Sequence, residues 1–208
     1  MTALIIGASG LVGGHCLEKL LKSNKYDRVI SVGRRKLDIA KMGQSGLCSA
    51  AQATKLEQII LELEDLEKHQ AELKADDYFC CLGTTIKKAK TKENFKKVDF
   101  DAPYALARIA KHHKADNFVV VTALGANSKS MVFYNKVKGE LEDALKKLNL
   151  KKLSIIQPSL LLGERKEFRL GERLFEGFKY LPIWFGPLKK YQPIEAERVA
   201  QMMVDAAG

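Results

Sequence analysis

Short apolar runs alternate with amphipathic stretches along almost the whole chain, and this alternation restricts the fold more than any other feature. Ala3 to Gly7 is apolar, and Leu11 to Lys22 after it carries Leu11, Val12, Cys16, Leu20 and Leu21 at helical spacing. Arg28 to Gly33 is β-branched, Leu56 to Leu63 contains Ile59-Ile60-Leu61, and Tyr78 to Leu82 is a fourth apolar run. Phe118 to Thr122, with Val119-Val120-Val121, and Leu153 to Gln157 complete six expected strands. Helical patterns over Glu64 to Leu73, Val98 to His112 and Phe133 to Leu148 separate them, and a last helix runs from Glu195 to Ala206. Uniformly apolar strands joined by helical crossovers belong to a parallel α/β sheet covered on both faces, so every strand from Ala3 to Gln157 is expected to be parallel.

A chain of 208 residues builds one domain with a full core, and a second domain would need more chain than remains. Residues 1–208 are therefore expected to form a single domain. Residues 163 to 193 hold glycines, prolines and the aromatics Phe175, Phe178, Tyr180, Trp184 and Phe185. That stretch is too short for its own core and is read as a cap over the sheet's C-terminal edge, on the substrate side. Residues 40 to 54 are small and polar and give no assignment.

Composition excludes several classes. With 46% hydrophobic and 29% charged residues the chain is globular and not disordered. No apolar run reaches the ~18 residues of a membrane span. The start lacks the basic head and apolar stretch of a secretion signal, so a cytoplasmic location is expected.

Four cysteines, Cys16, Cys48, Cys80 and Cys81, are too few for a disulfide framework in a chain of this length. Cys80 and Cys81 should point to opposite faces of a strand. No metal-ligand spacing is present, and the neighbours His112 and His113 are read as a helix end. The net charge of +10 can attract nucleic acid or a polyphosphate cofactor. Its densest run, Lys87-Lys88-Ala89-Lys90-Thr91-Lys92 with Lys96 and Lys97 following, reads as a solvated loop and helix start, and a nucleic-acid site is the minor reading.

Gly7-Ala8-Ser9-Gly10-Leu11-Val12-Gly13 lies between the first strand and the first helix. In such a loop the first glycine permits a tight turn, the second lets backbone approach a pyrophosphate, and the third lets helix and strand pack closely. Free N–H groups at the helix start then receive the phosphates. Dinucleotide binding is expected, with the first five strands in the corresponding order and strand one central. The second strand ends in Gly33-Arg34-Arg35-Lys36, with no acid before Asp38. A carboxylate there would accept the ribose hydroxyl of NAD, whereas paired guanidinium groups match a 2′-phosphate, which favours NADP.

Tyr134-Asn135-Lys136-Val137-Lys138 places a phenol and an ammonium one helical turn apart. An ammonium beside a phenol favours the phenolate, which suits proton transfer to a substrate carbonyl. Thr122 ends the preceding strand, where its hydroxyl would orient that carbonyl.

With these residues in place the chain resembles an atypical short-chain dehydrogenase/reductase of the Tat-interacting-protein-like family. The matching segments are GASGLVG (7–13), VGRR (32–35), CCLGTT (80–85), VDFDAP (98–103), YNKVKGELE (134–142) and QPSLLLGER (157–165). The resemblance implies a Rossmann-type fold binding NADP(H), with residues 7–13 (Gly7, Ala8, Ser9, Gly10, Leu11, Val12 and Gly13) on the pyrophosphate and Arg34 and Arg35 on the 2′-phosphate. It implies Glu62 and Leu63 beside the adenine, and Leu82, Gly83 and Thr84 at the ribose and nicotinamide. Pro158, Ser159 and Leu160 would close over the nicotinamide, and Tyr134 and Lys138 form the active pair. One departure stands out. Such enzymes commonly carry Ser-Ser where this chain has Thr122-Ala123, so Thr122 substitutes, Ser128 or Ser130 reaches in, or the third hydroxyl is missing.

The leading reading is an NADP(H)-dependent oxidoreductase acting on an unidentified small carbonyl or alcohol. An NADPH-binding regulatory or interaction protein with little turnover is the alternative. A nucleotide-sugar epimerase comes third, because it usually needs a larger C-terminal substrate domain.

Overall fold

Alternate residues of each strand face opposite helical layers. In the computed structural model, which describes residues 1–38, 52, 54–162 and 192–208, β1 (Thr2–Ile6) sends Ala3 and Ile5 to one side and Leu4 and Ile6 to the other. All four are fully buried, as expected of a strand in the middle of a covered sheet. The other strands are β2 (Arg28–Gly33), β3 (Leu56–Ile60), β4 (Asp77–Cys80), β5 (Asn117–Val121) and β6 (Leu153–Ile156). They form a six-stranded sheet in the order β3-β2-β1-β4-β5-β6, every pair parallel. This is the Rossmann-type doubly wound arrangement, with strand one central.

One layer is α1 (Leu11–Lys22) and the C-terminal helix (Ala196–Ala206), whose Cys16, Leu17, Leu20, Val199, Ala200 and Met203 cover Ala3, Ile5, Phe79 and Val119. The opposite layer places Leu106 and Ala110 of the helix Ala102–His112, and Leu141 and Leu145 of the helix Phe133–Lys147, over Leu4, Ile6, Tyr78 and Phe118. Cys80 faces this second layer and Cys81 the first, the alternation their adjacency requires. In chain order these helices, with two short ones at Ile86–Ala89 and Lys92–Lys96, are α1, α2 (Ile86–Ala89), α3 (Lys92–Lys96), α4 (Ala102–His112), α5 (Phe133–Lys147) and α6 (Ala196–Ala206). A separate two-stranded pair joins β7 (Leu161–Leu162) to β8 (Ile194–Glu195).

Three elements differ from the sequence expectation. The third strand stops at Ile60, and the stretch after it forms a 3₁₀ helix, Leu63–His69, anchored by the buried Leu66. The basic run folds into α2 and α3, because the Thr85 hydroxyl accepts the Lys88 N–H and the Thr91 hydroxyl the Asn94 N–H. The helix ending at His112 begins with a π-helical turn, Lys97–Asp101, in which the Ala102 N–H reaches back to the Lys97 carbonyl. Pro103 explains the widening: it offers no N–H to the Asp99 carbonyl and its ring crowds that oxygen. At the other end of the same helix, His113 caps the last turn and its ring contacts the Gln70 carbonyl at 2.8 Å.

The expected cap at 163–193 falls, through residue 191, outside the described residues. Among the described residues no helix is long and apolar enough to cross a membrane.

Candidate functional site

Register sets the site. Ile6 lies beside Val32 and Cys80, and Cys80 beside Val120, so the C-terminal ends of β1, β2, β4 and β5 share one edge. Between β1 and β4 the chain order reverses, and a crevice opens there. The crevice is a cleft of about 650 Å³ lined by Gly7, Ala8, Ser9 and Gly10, by Arg34 and Arg35, by Glu62 and Leu63, and by Leu82, Gly83 and Thr84. Its volume lies within the range of small-ligand and cofactor pockets.

The glycine loop is shaped by close approach. Gly7 has φ +85°, and a Cβ on it would stand 2.7 Å from the Cys81 carbonyl carbon. A Cβ on Gly13 would stand 2.1 Å from the Gly7 carbonyl oxygen, so α1 lies against the loop as only glycine permits. Gly10 caps α1 with no side chain, and no acid occupies the first turn. The N–H groups of that turn are thus left to a ligand, and the helix dipole favours an anion there. A dinucleotide fits this cradle: a Cβ at 7 would collide with the Cys81 backbone and one at 13 with the Gly7 carbonyl, so a side chain at either position would force the loop apart, and the exposed Arg34 and Arg35 line the same cleft.

Among the other lining residues, Gln58, Glu64 and Asn94 had no signal in the sequence, and Lys88 and Lys97 were marked only as members of the basic run. Gln58 on β3 receives the Leu37 N–H at 2.7 Å and donates to the Leu37 carbonyl at 3.4 Å, which pins the loop carrying both arginines. Lys97 pairs with Glu64 at 3.0 Å at the cleft wall, and the lysine holds that carboxyl below its usual range. Lys88 and Asn94 line the same side.

The chemical end is arranged differently. Leu11, Val12 and Gly13 lie in the first turn of α1, behind the lining. Tyr134 is half-buried at the start of α5, with its ring 5.7 Å from that of Phe95. Lys138 is buried one turn later, and its ammonium lies 2.8 Å from Asp99 Oδ1. The Thr122 hydroxyl donates to Glu142 Oε1 at 2.7 Å, and the Gln157 amide donates to both oxygens of Glu142. Ser128 donates to Asp143, and Ser130 accepts the Val132 N–H, so both hydroxyls are engaged locally. Pro158 is buried, its carbonyl accepting the Leu124 N–H, while Ser159 donates to the Gln192 carbonyl and the Leu160 carbonyl receives the Ile194 N–H. None of Tyr134, Lys138, Thr122 and Pro158 to Leu160 lines the cleft, which collects the residues expected at the adenosine and pyrophosphate together with Leu82, Gly83 and Thr84, expected at the ribose and nicotinamide.

Residues 52–179 match the HIM1 protein family. The chain is 34% identical over 212 residues to "Protein FMP52, mitochondrial" of Debaryomyces hansenii, covering 100% of this chain and 88% of that protein. It is 33% identical over 178 residues to "Protein HTATIP2" of Rattus norvegicus, covering 85% of this chain and 69% of that protein. Among solved structures it is similar to the Bordetella bronchiseptica enzyme WbmH in complex with NAD+, with a TM-score of 0.69 and 16% identity over 99% of this chain and 72% of that one. At that identity the likeness concerns the fold.

The mitochondrial designation of the FMP52 relatives overturns the cytoplasmic expectation. That expectation was drawn from the residue pattern of the first segment, which does not select among internal compartments.

Proposed function

The chain belongs to the HIM1 family of atypical short-chain dehydrogenase/reductases, and from that premise we propose that it is an NADP(H)-dependent oxidoreductase acting on a small carbonyl or alcohol. One observation carries the reading: the cleft at the strand-order reversal brings Gly7 to Gly10, Arg34, Arg35 and Leu82 to Thr84 to one ligand-sized space. Gly7, Gly10 and the first turn of α1 hold the pyrophosphate, aided by Gly13, whose missing side chain lets the helix approach. Arg34 and Arg35 grip the 2′-phosphate, and Glu62 and Leu63 flank the adenine. Leu82, Gly83 and Thr84 meet the ribose and nicotinamide, and Pro158, Ser159 and Leu160 cover that end. A bound nicotinamide supplies or accepts the hydride. Tyr134 gives or takes the proton at the substrate oxygen, and Lys138 holds the ribose.

The placement of the third hydroxyl favours a second reading, an NADPH-binding regulatory protein with little turnover. The Thr122 hydrogen is given to Glu142, which leaves this oxygen as an acceptor and not as a donor to a carbonyl.

Oxidation of NADPH over a panel of small aldehydes, ketones and quinones decides between the two. Tyr134→Phe keeps the ring on Phe95, so cofactor affinity should hold while reduction falls by ~10²–10⁴. A variant as fast as wild type rejects the proton role, and tight NADPH binding with no turnover over the whole panel selects the regulator.

A further inference from the structure

Three sulfurs meet behind the glycine loop, and the roles assigned so far use none of them. Cys16 of α1 and Met203 of α6 are fully buried, and Cys81, just after β4, packs against the same layer. The Cys81 thiol donates to Met203 Sδ at 3.6 Å and also makes a hydrogen-bonding contact with the Cys16 thiol. The three residues lie far apart in the chain, so no rule of ligand spacing finds them.

The surroundings suit a soft ion. Among the described residues no three of His, Cys, Asp and Glu come together, so a hard cation has no donor set here, and it is a thioether that supplies the third donor. The rest of the layer, Val12, Leu17, Leu20 and Val199 among it, is apolar. Thiolate and thioether donors select Cu(I) over cations that require oxygen. A three-coordinate ion about 2.3 Å from each donor holds its sulfurs roughly 4 Å apart, so the observed separation needs to open by only a few tenths of an ångström. Closing a disulfide would instead bring two sulfurs to about 2.05 Å. The Cys16 contact and burial hold the Cys81 thiol well above its ordinary range, so it keeps its proton until an ion displaces it. Cys81 is part-exposed and lines the cleft, which gives an ion a way in.

We propose that Cys16, Cys81 and Met203 form a binding site for Cu(I), held by two thiolates and one thioether. Binding releases both thiol protons to solvent, and the copper enters and stays as Cu(I), so no oxidant or reductant is consumed. The ion joins α1, the end of β4 and α6, and so stabilises the scaffold behind the cofactor cradle. It takes no part in the proposed hydride transfer and does not depend on the dinucleotide reading.

The test titrates Cu(I) anaerobically, in competition with bathocuproine disulfonate, into protein carrying Cys48→Ala to remove the thiol outside the described residues. This parent should take up one ion per chain and gain Tm as it loads. In that background Cys16→Ala and Cys81→Ala should each weaken Cu(I) about a hundredfold or more, and Met203→Leu, which keeps the volume, about tenfold. Cys80→Ala, whose thiol faces the opposite layer, should bind as the parent does. Zn(II) should not compete. Nor should 2′,5′-ADP, the phosphorylated adenosine half of NADPH, displace the ion, because the sulfurs lie behind the cleft and not in it. X-ray absorption at the copper edge of the loaded parent should show three sulfur neighbours at about 2.3 Å, a readout that stands even where a variant fails to fold. No uptake by the parent, uptake retained in Cys16→Ala/Cys81→Ala, displacement by 2′,5′-ADP, or nitrogen and oxygen neighbours at the edge overturns the site.

Discussion

The proposed choice of NADP over NAD rests on Arg34 and Arg35 and on where the backbone leaves them. β2 ends at Gly33, and the exposed guanidinium groups line the cleft while Gln58 holds the following loop by both polar groups of Leu37. A guanidinium meets a phosphate through paired charge-assisted hydrogen bonds, each contact of this kind contributing roughly 1.5–3 kcal/mol. Arg34→Ala should therefore weaken NADPH about tenfold to a hundredfold and NADH hardly at all. Gln58→Ala removes no charge and should lower the NADPH to NADH preference by several-fold, because the arginines lose their fixed approach. Titration of both cofactors against the three proteins checks this, and equal affinities in wild type would remove the basis for NADP selectivity.

Among elements, the two helices bearing on the site are each seated by a glycine. Besides Gly13 on α1, Gly139 on α5 is pressed against the loop after β5: a Cβ there would stand 2.1 Å from the Ser128 nitrogen and 2.2 Å from the Asn127 carbonyl carbon. Backbone atoms at such distances cannot yield without moving the helix, and overpacking of this kind costs about 1–3 kcal/mol. Gly13→Ala and Gly139→Ala should each lower Tm by about 3–10 °C. Only Gly13→Ala should also abolish 2′,5′-ADP binding, because the proposed phosphate site lies at the start of α1; thermal denaturation with and without that ligand separates the two. The tasks of Gly7, Gly10 and Gly13 were legible in the sequence because they are local, a turn and a close approach fixed by neighbours, whereas that of Gly139 depends on a loop brought against it in space. The strand order was legible because apolar runs and crossovers leave few topologies. The pairing of Lys138 with Asp99 was not, since it depends on a π turn that Pro103 induces and on two helices meeting in space. The bond from Thr122 to Glu142 escaped because it depends on how α5 lies against the end of β5. The only sequence trace of Asp99 is an acid set between Val98 and Phe100, in a stretch already marked by resemblance.

At the scale of the whole molecule, the core is built to stay protonated. Burial raises the Cys80 thiol to about 11 from an ordinary value near 9, with the Leu82 backbone and Lys138 opposing the rise. Burial likewise holds the Tyr26 and Tyr78 phenols above their usual range, with the Asp77 carboxylate, which accepts the Tyr26 hydrogen at 2.7 Å, adding to the effect at Tyr26. Native protein therefore keeps protons that the unfolded chain releases, and stability must fall as pH rises through this window. The Cys80 contribution is present in full below pH 9 and is lost as pH climbs toward 11. Two pH units of this kind amount to about 3 kcal/mol. Cys80→Ala removes the titrating group at the price of a small cavity, about 1–2 kcal/mol at neutral pH. Urea unfolding of wild type and Cys80→Ala at pH 7, 9, 10 and 11 should show the wild-type advantage shrinking across the series and reversing near pH 11. Effects shared by both proteins, lysine neutralisation and the two tyrosines among them, cancel in the difference. Stability curves that stay parallel from pH 7 to 11 would mean that the thiol keeps no proton the unfolded chain gives up, and that water reaches Cys80 between the sheet and α4.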